Sequence, residues 1–173
     1  MPIVINGSAG TVTGIATGGL PDGCVDTDTL ATNARGKVLQ VVSATTTTQV
    51  NSSSSSHVDT GLTCSITTTS ASSKVYVAVS QSLYVRNASG TTAILSWDLV
   101  RGSTVISDGS SIGMYALNVG FIISFQKPSL VFLDSPGSAA THTYKTTALA
   151  SSGEWRAQDD SMPSHIVLME IAA

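Results

Sequence analysis

The sequence has little charge, few aromatic residues and only two cysteines. Charged residues make up 11% of its 173 residues, and aromatic residues make up 5%. Helical proteins usually cover their solvent-facing surfaces with Glu, Lys and Arg, so this low charge argues against a helical fold. Two cysteines, Cys24 and Cys64, exclude a disulfide-rich scaffold and a four-cysteine zinc site.

Other absences narrow the range of partners. No apolar run has the length of a transmembrane helix, and the N-terminus has neither the basic region nor the long apolar region of a secretory signal. The formal net charge is −3, and the eight basic residues are scattered along the chain. We therefore expect no membrane insertion and no nucleic-acid partner.

Hydroxyl side chains take the place of charged ones. The chain contains 27 Ser and 22 Thr, and it is also rich in valine. Thr and Val favour β-strands, whereas Glu and Lys, which favour helices, are scarce. The composition therefore predicts an all-β fold.

Short apolar segments separated by turn residues follow one another from Lys37 to the end of the chain. The pattern contains no crossover helices, so it predicts an antiparallel β-sandwich, jelly-roll-like, over residues 37–173. The polar run at 45–56 is too hydrophilic to be core. The main predicted strands are 37–44, 57–67, 73–87, 92–102, 120–127, 129–134, 141–150 and 164–173.

Alternation along these strands indicates which side chains face the core. It places Cys64 and Trp97 on inward faces, although a Cys24–Cys64 disulfide remains an alternative. Trp155 differs, because it lies in a polar stretch beside Arg156. We predict that these two residues make an exposed contact, with a glycan or with another subunit, and the alternative for Trp155 is a structural plug.

Motifs of catalysis and metal binding are weak in this chain. Ser111 matches the G-x-S-x-G pattern of serine hydrolases, but no helix signal follows it, as a nucleophile elbow requires. The three histidines lie in separate strands, without the spacing of a metal site. Asp159 and Asp160 leave a loop calcium ion as an alternative. We predict no catalytic residue, no cofactor and no metal site, and hence no enzyme.

The first 36 residues have too few apolar side chains to fold alone. The sequence at 20–23 predicts a Pro-Asp-Gly turn, and Asp26 and Gly36 are placed as the N-cap and the C-terminal glycine of one predicted short helix. Such a helix of about ten residues is marginal by itself. We expect residues 1–36 to be an extended segment that becomes stable against copies of itself or a partner, and the first strand to begin near residue 37.

Several segments resemble a family of phage fibre and virion-decoration proteins. They are "GGLPDGCVDTDTLA", "GKVLQVV" before a Ser/Thr tract, "VDTGLTCSIT", "SSKVYVAVSQ", "LVRGSTVI" and the final "IVLMEIAA". The match extends over nearly the whole chain in order, although each motif has low complexity. Long fibre shafts, which longer relatives carry, are nearly missing here, so tail fibre, head fibre and capsid decoration all remain open.

The resemblance implies a non-enzymatic virion protein, usually a homotrimer. Residues 1–36 would dock on another virion protein, in the tail, near the portal or on the capsid, and residues 37–173 would form the exposed head. A head that binds host-surface glycan is the alternative function, and a depolymerase is the enzymatic one. Residues expected to make the trimer and anchor contacts are Ile3, Ile5, Val12, Ile15, Leu20, Val25, Leu30 and Ala34.

Overall fold

The chain divides into two compact units, Met1–Gly36 and Lys37–Ala173. The structure, a computed structural model, describes residues 4–6, 11–13, 37–87, 93–108, 114–116 and 122–173. Among the described residues, no helix is both long enough and apolar enough to cross a membrane.

The first unit contains an antiparallel pair of strands. β1 (Val4–Asn6) pairs with β2 (Thr11–Thr13), and Ile5 lies opposite Val12. This short pair was not predicted, whereas the first long strand of the described residues begins at Val38, near the predicted residue 37. β-branched residues, as at Ile5 and Val12, favour short paired strands. The predicted helix at 26–36 and the anchor residues Ile3, Ile15, Leu20, Val25, Leu30 and Ala34 lie outside the described residues.

The described part of the second unit is built from strands. A three-residue 3-10 turn, Asp159–Ser161, is its only helical element within those residues, which confirms the predicted all-β fold. The strands are β3 (Val38–Thr46), β4 (Val50–Ser52), β5 (Val58–Thr67), β6 (Lys74–Ser80), β7 (Leu83–Asn87), β8 (Ala93–Arg101), β9 (Thr104–Ser107), β10 (Met114–Ala116), β11 (Ile122–Gln126), β12 (Ser129–Asp134), β13 (Thr141–Ala150), β14 (Glu154–Ala157) and β15 (Ser164–Ile171).

These strands form three antiparallel sheets. Sheet I has the order β10-β8-β13-β5, with β9 also paired to β8. Sheet II has the order β12-β6-β15-β3, and sheet III has the order β11-β7-β14-β4. The orders of sheets II and III correspond, because β3 leads into β4, β6 into β7, β11 into β12 and β14 into β15. Four chain segments thus run through both sheets.

One hydrophobic core joins the three sheets. Sheet I contributes Trp97 and Leu99, sheet II contributes Val77 and Leu168, and sheet III contributes Trp155, all with at most 1% exposure. Side chains alternate between this core and the outside, as along β5 and β6. The result is a β-sandwich-like arrangement, in which sheet I faces the other two sheets across the core.

Buried polar side chains lie where sheet II meets sheet III. The Thr146 hydroxyl donates to Gln81 Oε1 at 2.8 Å, and Gln81 Nε2 donates to Ser164 Oγ at 3.1 Å. All three residues have no exposed surface. Backbone pairing is interrupted at the boundary between sheets II and III, where one strand ends and the next begins. The side-chain hydrogen bonds of Gln81 replace part of that pairing.

Sequence patterns misassigned three segments near this boundary. The polar run at 45–56 contains β4, whose Val50 packs against the core. The predicted single strand at 73–87 divides into β6 and β7 at Gln81 and Ser82. The polar stretch around Trp155 contains strand β14. Each of the two missed strands has only three or four residues, which is too short for a clear periodic signal.

Candidate functional site

Hydroxyl and charged side chains cover the outer face of sheet I, which we call the polar face. Across β5 and β13, the Ser65 and Thr143 hydroxyl oxygens lie 2.8 Å apart, and so do those of Thr67 and Thr141. Cross-strand pairs of this kind stabilise a sheet modestly. They also leave a surface on which polar ligands find donors and acceptors.

A concave site of about 340 Å³ lies at one end of the polar face. Its size is near the lower end of the range for small-molecule sites. The site is open to solvent and mixes polar groups with a valine wall. Its lining residues are His57, Asp59, Asp98, Val100, Gly102, Ser103, Val105, Lys145 and Thr147.

The imidazole of His57 lies at the centre of the polar groups. Its Nε2 is 3.3 Å from Asp98 Oδ2, and its Nδ1 is 3.1 Å from Thr147 Oγ1. An ionised carboxylate accepts only, so a proton on Nε2 satisfies Asp98 and leaves Nδ1 to accept from the Thr147 hydroxyl. These two contacts hold the ring in one orientation above β13 and β8.

A bulge in β5 brings a second carboxylate to the site. The β5–β13 register shifts between Thr63↔Lys145 and Asp59↔Thr147. Gly61 lies in this shift with a φ of 83°, in the left-handed region that favours glycine. Asp59 consequently lies beside Lys145, with 2.8 Å between the Lys145 Nζ and the carboxylate.

The order hydroxyl, imidazole, carboxylate has the residue types of a catalytic triad, but the surroundings do not suit acyl transfer. Thr147 lies within β13, which pairs with β5 on one side and β8 on the other. A central strand offers its amides to its neighbours rather than to a developing oxyanion. Thr147 itself is only 8% exposed. The arrangement is better suited to binding a ligand rich in hydroxyl groups.

Metal binding finds no support in the described part of the chain. Nowhere in that part do three His, Cys, Asp or Glu side chains gather as metal ligands. Asp159, one of the two residues considered for a calcium loop, is paired with Arg156 Nη1 at 3.1 Å. The 3-10 turn that holds it has positive φ at Gln158, Asp160 and Ser161.

The prediction of an exposed contact at Trp155 is wrong, because this side chain has no exposed surface and belongs to the core. Its position agrees instead with the alternative of a structural plug. In β14, Trp155 and Ala157 point inward while Glu154 and Arg156 point outward.

Arg156 is engaged within its own sheet. It pairs with Glu154 at 2.9 Å as well as with Asp159, and its guanidinium lies 5.1 Å from the centre of the Tyr84 ring. Its hydrogen bond to Glu154 is the main reason why the pKa of that carboxyl is lowered. Arg156 therefore contributes to the surface of sheet III rather than to a glycan site with Trp155.

Two predicted core positions are confirmed. Trp97 is 1% exposed and Cys64 is 9% exposed, and burial raises the pKa of the Cys64 thiol. Ser111 lies outside the described residues, so the hydrolase pattern is not tested. Cys64 is a free, buried cysteine, so the alternative Cys24–Cys64 disulfide is not present in this structure. Ile5 and Val12 form a register pair in the first unit.

Sequence reasoning missed the concave site. Strand alternation places Asp98 on the outward side of its strand, but His57 comes 41 positions earlier and Thr147 comes 49 later. Only the pairing of β13 between β5 and β8 brings them together. The alternation of the strands shows that several polar residues point outward. It does not show which strands are adjacent, and therefore not which polar residues lie together.

Comparison with protein-family models and with curated proteins gives no match to this chain. Its function is therefore argued from the residues and geometry described above.

Proposed function

We propose that this chain is a non-enzymatic structural protein of a phage virion, a homotrimeric fibre or decoration protein displayed on the particle. Residues 1–36 dock on a tail, portal-proximal or capsid protein and contribute to trimerisation, and residues 37–173 form the head. The observation that carries the proposal is the division of the chain into a small N-terminal unit and a head with a β-sandwich-like fold. The resemblance of the sequence motifs to phage fibre proteins supports the same function.

Strand order supports a jelly roll for the head. The strands of the head can be numbered as eight consecutive chain segments, 1 to 8. Segments 2, 4 and 7 are the single strands β5, β8 and β13, and the other five are the strand pairs β3–β4, β6–β7, β9–β10, β11–β12 and β14–β15. Sheets II and III then both have the order 6-3-8-1, and sheet I has the order 5-4-7-2. Two Greek keys wound together produce this order, and such folds recur in viral capsid and lectin domains.

Cryo-electron microscopy of purified virions that carry the protein tests the proposal. We expect threefold density into which residues 37–173 fit, joined to the particle through the N-terminal unit. Sedimentation of the purified full chain should give the mass of a trimer at micromolar concentration. Virions without such density, or a stable monomer in solution, would contradict the proposal.

The concave site favours glycan recognition as a second function of the same head. Asp59, Asp98 and Lys145 offer charged hydrogen-bonding groups, and Val105, which is 51% exposed, offers an apolar surface for the C–H groups of a sugar ring. Weak binding in each subunit of a trimer, repeated over many copies on a particle, gives useful avidity.

A glycan array probed with the full chain tests this second function. Asp98→Asn should reduce any signal, because the amide changes the acceptor facing His57. Thr67→Ala, on the same face but outside the lining residues, is the matched control and should bind as the wild type does. Absence of binding to every glycan would leave the virion role without an adhesive one.

A further inference from the structure

The outer face of sheet II is apolar, although nothing in the described chain requires it to be so. Val41, Val131 and Leu133 are 55%, 61% and 51% exposed. They alternate along β3 and β12 with residues that face the core. Large apolar residues exposed singly are ordinary, whereas a contiguous group marks a binding surface.

Strand register shows that the group is contiguous. One row across the sheet reads Leu133, Tyr76, Met169, Val41, and the next reads Val131, Ala78, Val167, Ser43. None of these eight side chains is charged. We call the two rows the apolar face.

Polar residues border the apolar face on one side, where the following row is formed by Ser129, Ser80, His165 and Thr45. On the other side Lys74 lies opposite Ile171, which pairs with the half-exposed Val38, so the apolar surface continues there beside one charge. An uncharged apolar centre with a polar border is the usual composition of a protein–protein interface. A partner selected by charge would find no complementary group in the two central rows.

The area of the apolar face is comparable to one side of a stable interface. Its apolar exposed surface is on the order of 500 Å², while a standard interface buries about 800 Å² per partner, slightly more than half of it apolar. The largest apolar patch on a typical monomer has a similar area and is often functional. The face is therefore large enough to account for self-association.

We propose that two further copies of this chain cover the apolar face, so that three such faces meet around a common axis. This inference rests on the proposed homotrimer and names the surface that forms it. Near a threefold axis, side chains of β12 approach their own copies, which an uncharged surface permits and a charged one opposes. The polar face, on the opposite side of the sandwich, then remains exposed to solvent.

Sedimentation of full-length variants tests the assignment. Leu133→Glu places three carboxylates in the buried contact, and we expect it to raise the trimer dissociation constant on the order of 100-fold. The matched control is Val105→Glu, since Val105 is equally exposed but lies beside the polar face. The control should keep the trimer mass, and both variants should keep the wild-type circular dichroism spectrum.

The outcomes separate this inference from the proposed function. A trimeric wild type whose mass Leu133→Glu does not change would overturn the apolar face as the contact, while the trimer would stand. A monomeric wild type would overturn both.

A second variant keeps the test decisive if Leu133→Glu does not fold. Val131→Cys is a conservative change in size, and we expect it to form disulfide-linked subunits under mild oxidation. Val105→Cys should not do so. Both variants are made in a Cys24→Ser background, so that Cys64, which is buried, is the one other thiol, and the Cys24→Ser protein alone provides the background. Linkage through Val105→Cys but not through Val131→Cys would contradict the proposal.

Discussion

The two outer faces of the sandwich differ in chemistry although they share one core. Ser65, Thr67, Thr141 and Thr143 line the face of sheet I as hydroxyl pairs. On sheet II, the equivalent outward positions carry valine, leucine, tyrosine and methionine. Both faces have the same backbone pattern, so the difference comes from side chains that folding alone does not require. Such a difference indicates that the two faces meet different surroundings.

Charge placement repeats the contrast. Sheet I carries its charges outside, at Asp59 and Lys145, whereas sheet II has a carboxylate on its inner side, Glu170, which has no exposed surface. Gln40 Nε2 donates to this carboxylate at 2.6 Å, and the backbone N–H of Thr69 donates at 2.7 Å. This buried carboxylate is thus satisfied by β3 and by the segment after β5, while the two rows of the apolar face carry no charge.

The largest effect should come from the shared core. Trp155→Ala removes a fully buried indole, and we expect a loss of about 3–5 kcal/mol in the free energy of unfolding. If one core supports both faces, urea unfolding followed by fluorescence and by circular dichroism should give coincident transitions. Separate transitions for the two probes would show that the faces belong to independently stable layers.

Val105→Ala is the surface control for this measurement. Because Val105 is half exposed, its truncation should change stability by less than about 0.5 kcal/mol. A loss at Trp155 no larger than that of the control would contradict its place in the core.

An intermediate effect should appear in acid through Glu170. Burial, the largest influence, raises its pKa, but the hydrogen bonds from Gln40 and Thr69 outweigh burial and lower the pKa to about 2. The pKa of Glu170 is lower in the folded chain than the value of 4.5 in the unfolded chain, so the ionised carboxylate stabilises the folded chain at pH values above 4.5. This stabilisation is lost as the pH falls from 4.5 towards 2. We expect a loss on the order of 2 kcal/mol over this range.

Urea titrations at several pH values between 7 and 2.5 measure the loss. Glu170→Gln keeps the shape of the side chain but removes the titration, so its stability should vary less over the same range. Parallel curves for the two proteins would mean that other groups account for the acid sensitivity, and that the inner charge of sheet II contributes little.

The smallest effects should come from exchanging Thr and Val, which have nearly the same shape, between the two faces. Thr143→Val removes one member of a hydroxyl pair on the polar face and should change stability by no more than about 0.5–1 kcal/mol. Val131→Thr, on the apolar face, should instead weaken self-association several-fold, because a hydroxyl enters the proposed contact. Sedimentation and urea unfolding of both variants check this, and equal behaviour would remove the distinction between the faces.

Particular elements mark what sequence patterns can and cannot predict here. β12 and β13 have the predicted limits of 129–134 and 141–150, because alternation over six to ten residues is a strong signal. The inward positions of Trp97, Val75 and Cys64 follow from the same alternation. β14 was missed because its four residues lie among polar neighbours, and its pairing with β7 and β4 is non-local.

The concave site is unpredictable for a similar reason. Its residues come from the start of β5, from β8, β9 and the turn between them, and from β13. Their proximity depends on strand order and on the bulge at Gly61. Neither strand order nor a register shift of this kind leaves a local pattern in the chain. The apolar face was equally hidden, since alternation alone does not tell which of two apolar sides faces the core.

The sequence by itself determined the all-β class and the two-residue alternation of the longer strands. It also determined the scarcity of charge, since these properties arise from local preferences and composition. Tertiary structure alone decided that Trp155 is buried, that His57 lies between Asp98 and Thr147, and that Val131 and Leu133 share a surface with Met169. Each of these depends on which strands become neighbours, and that choice minimises the free energy of the whole chain rather than of any one segment.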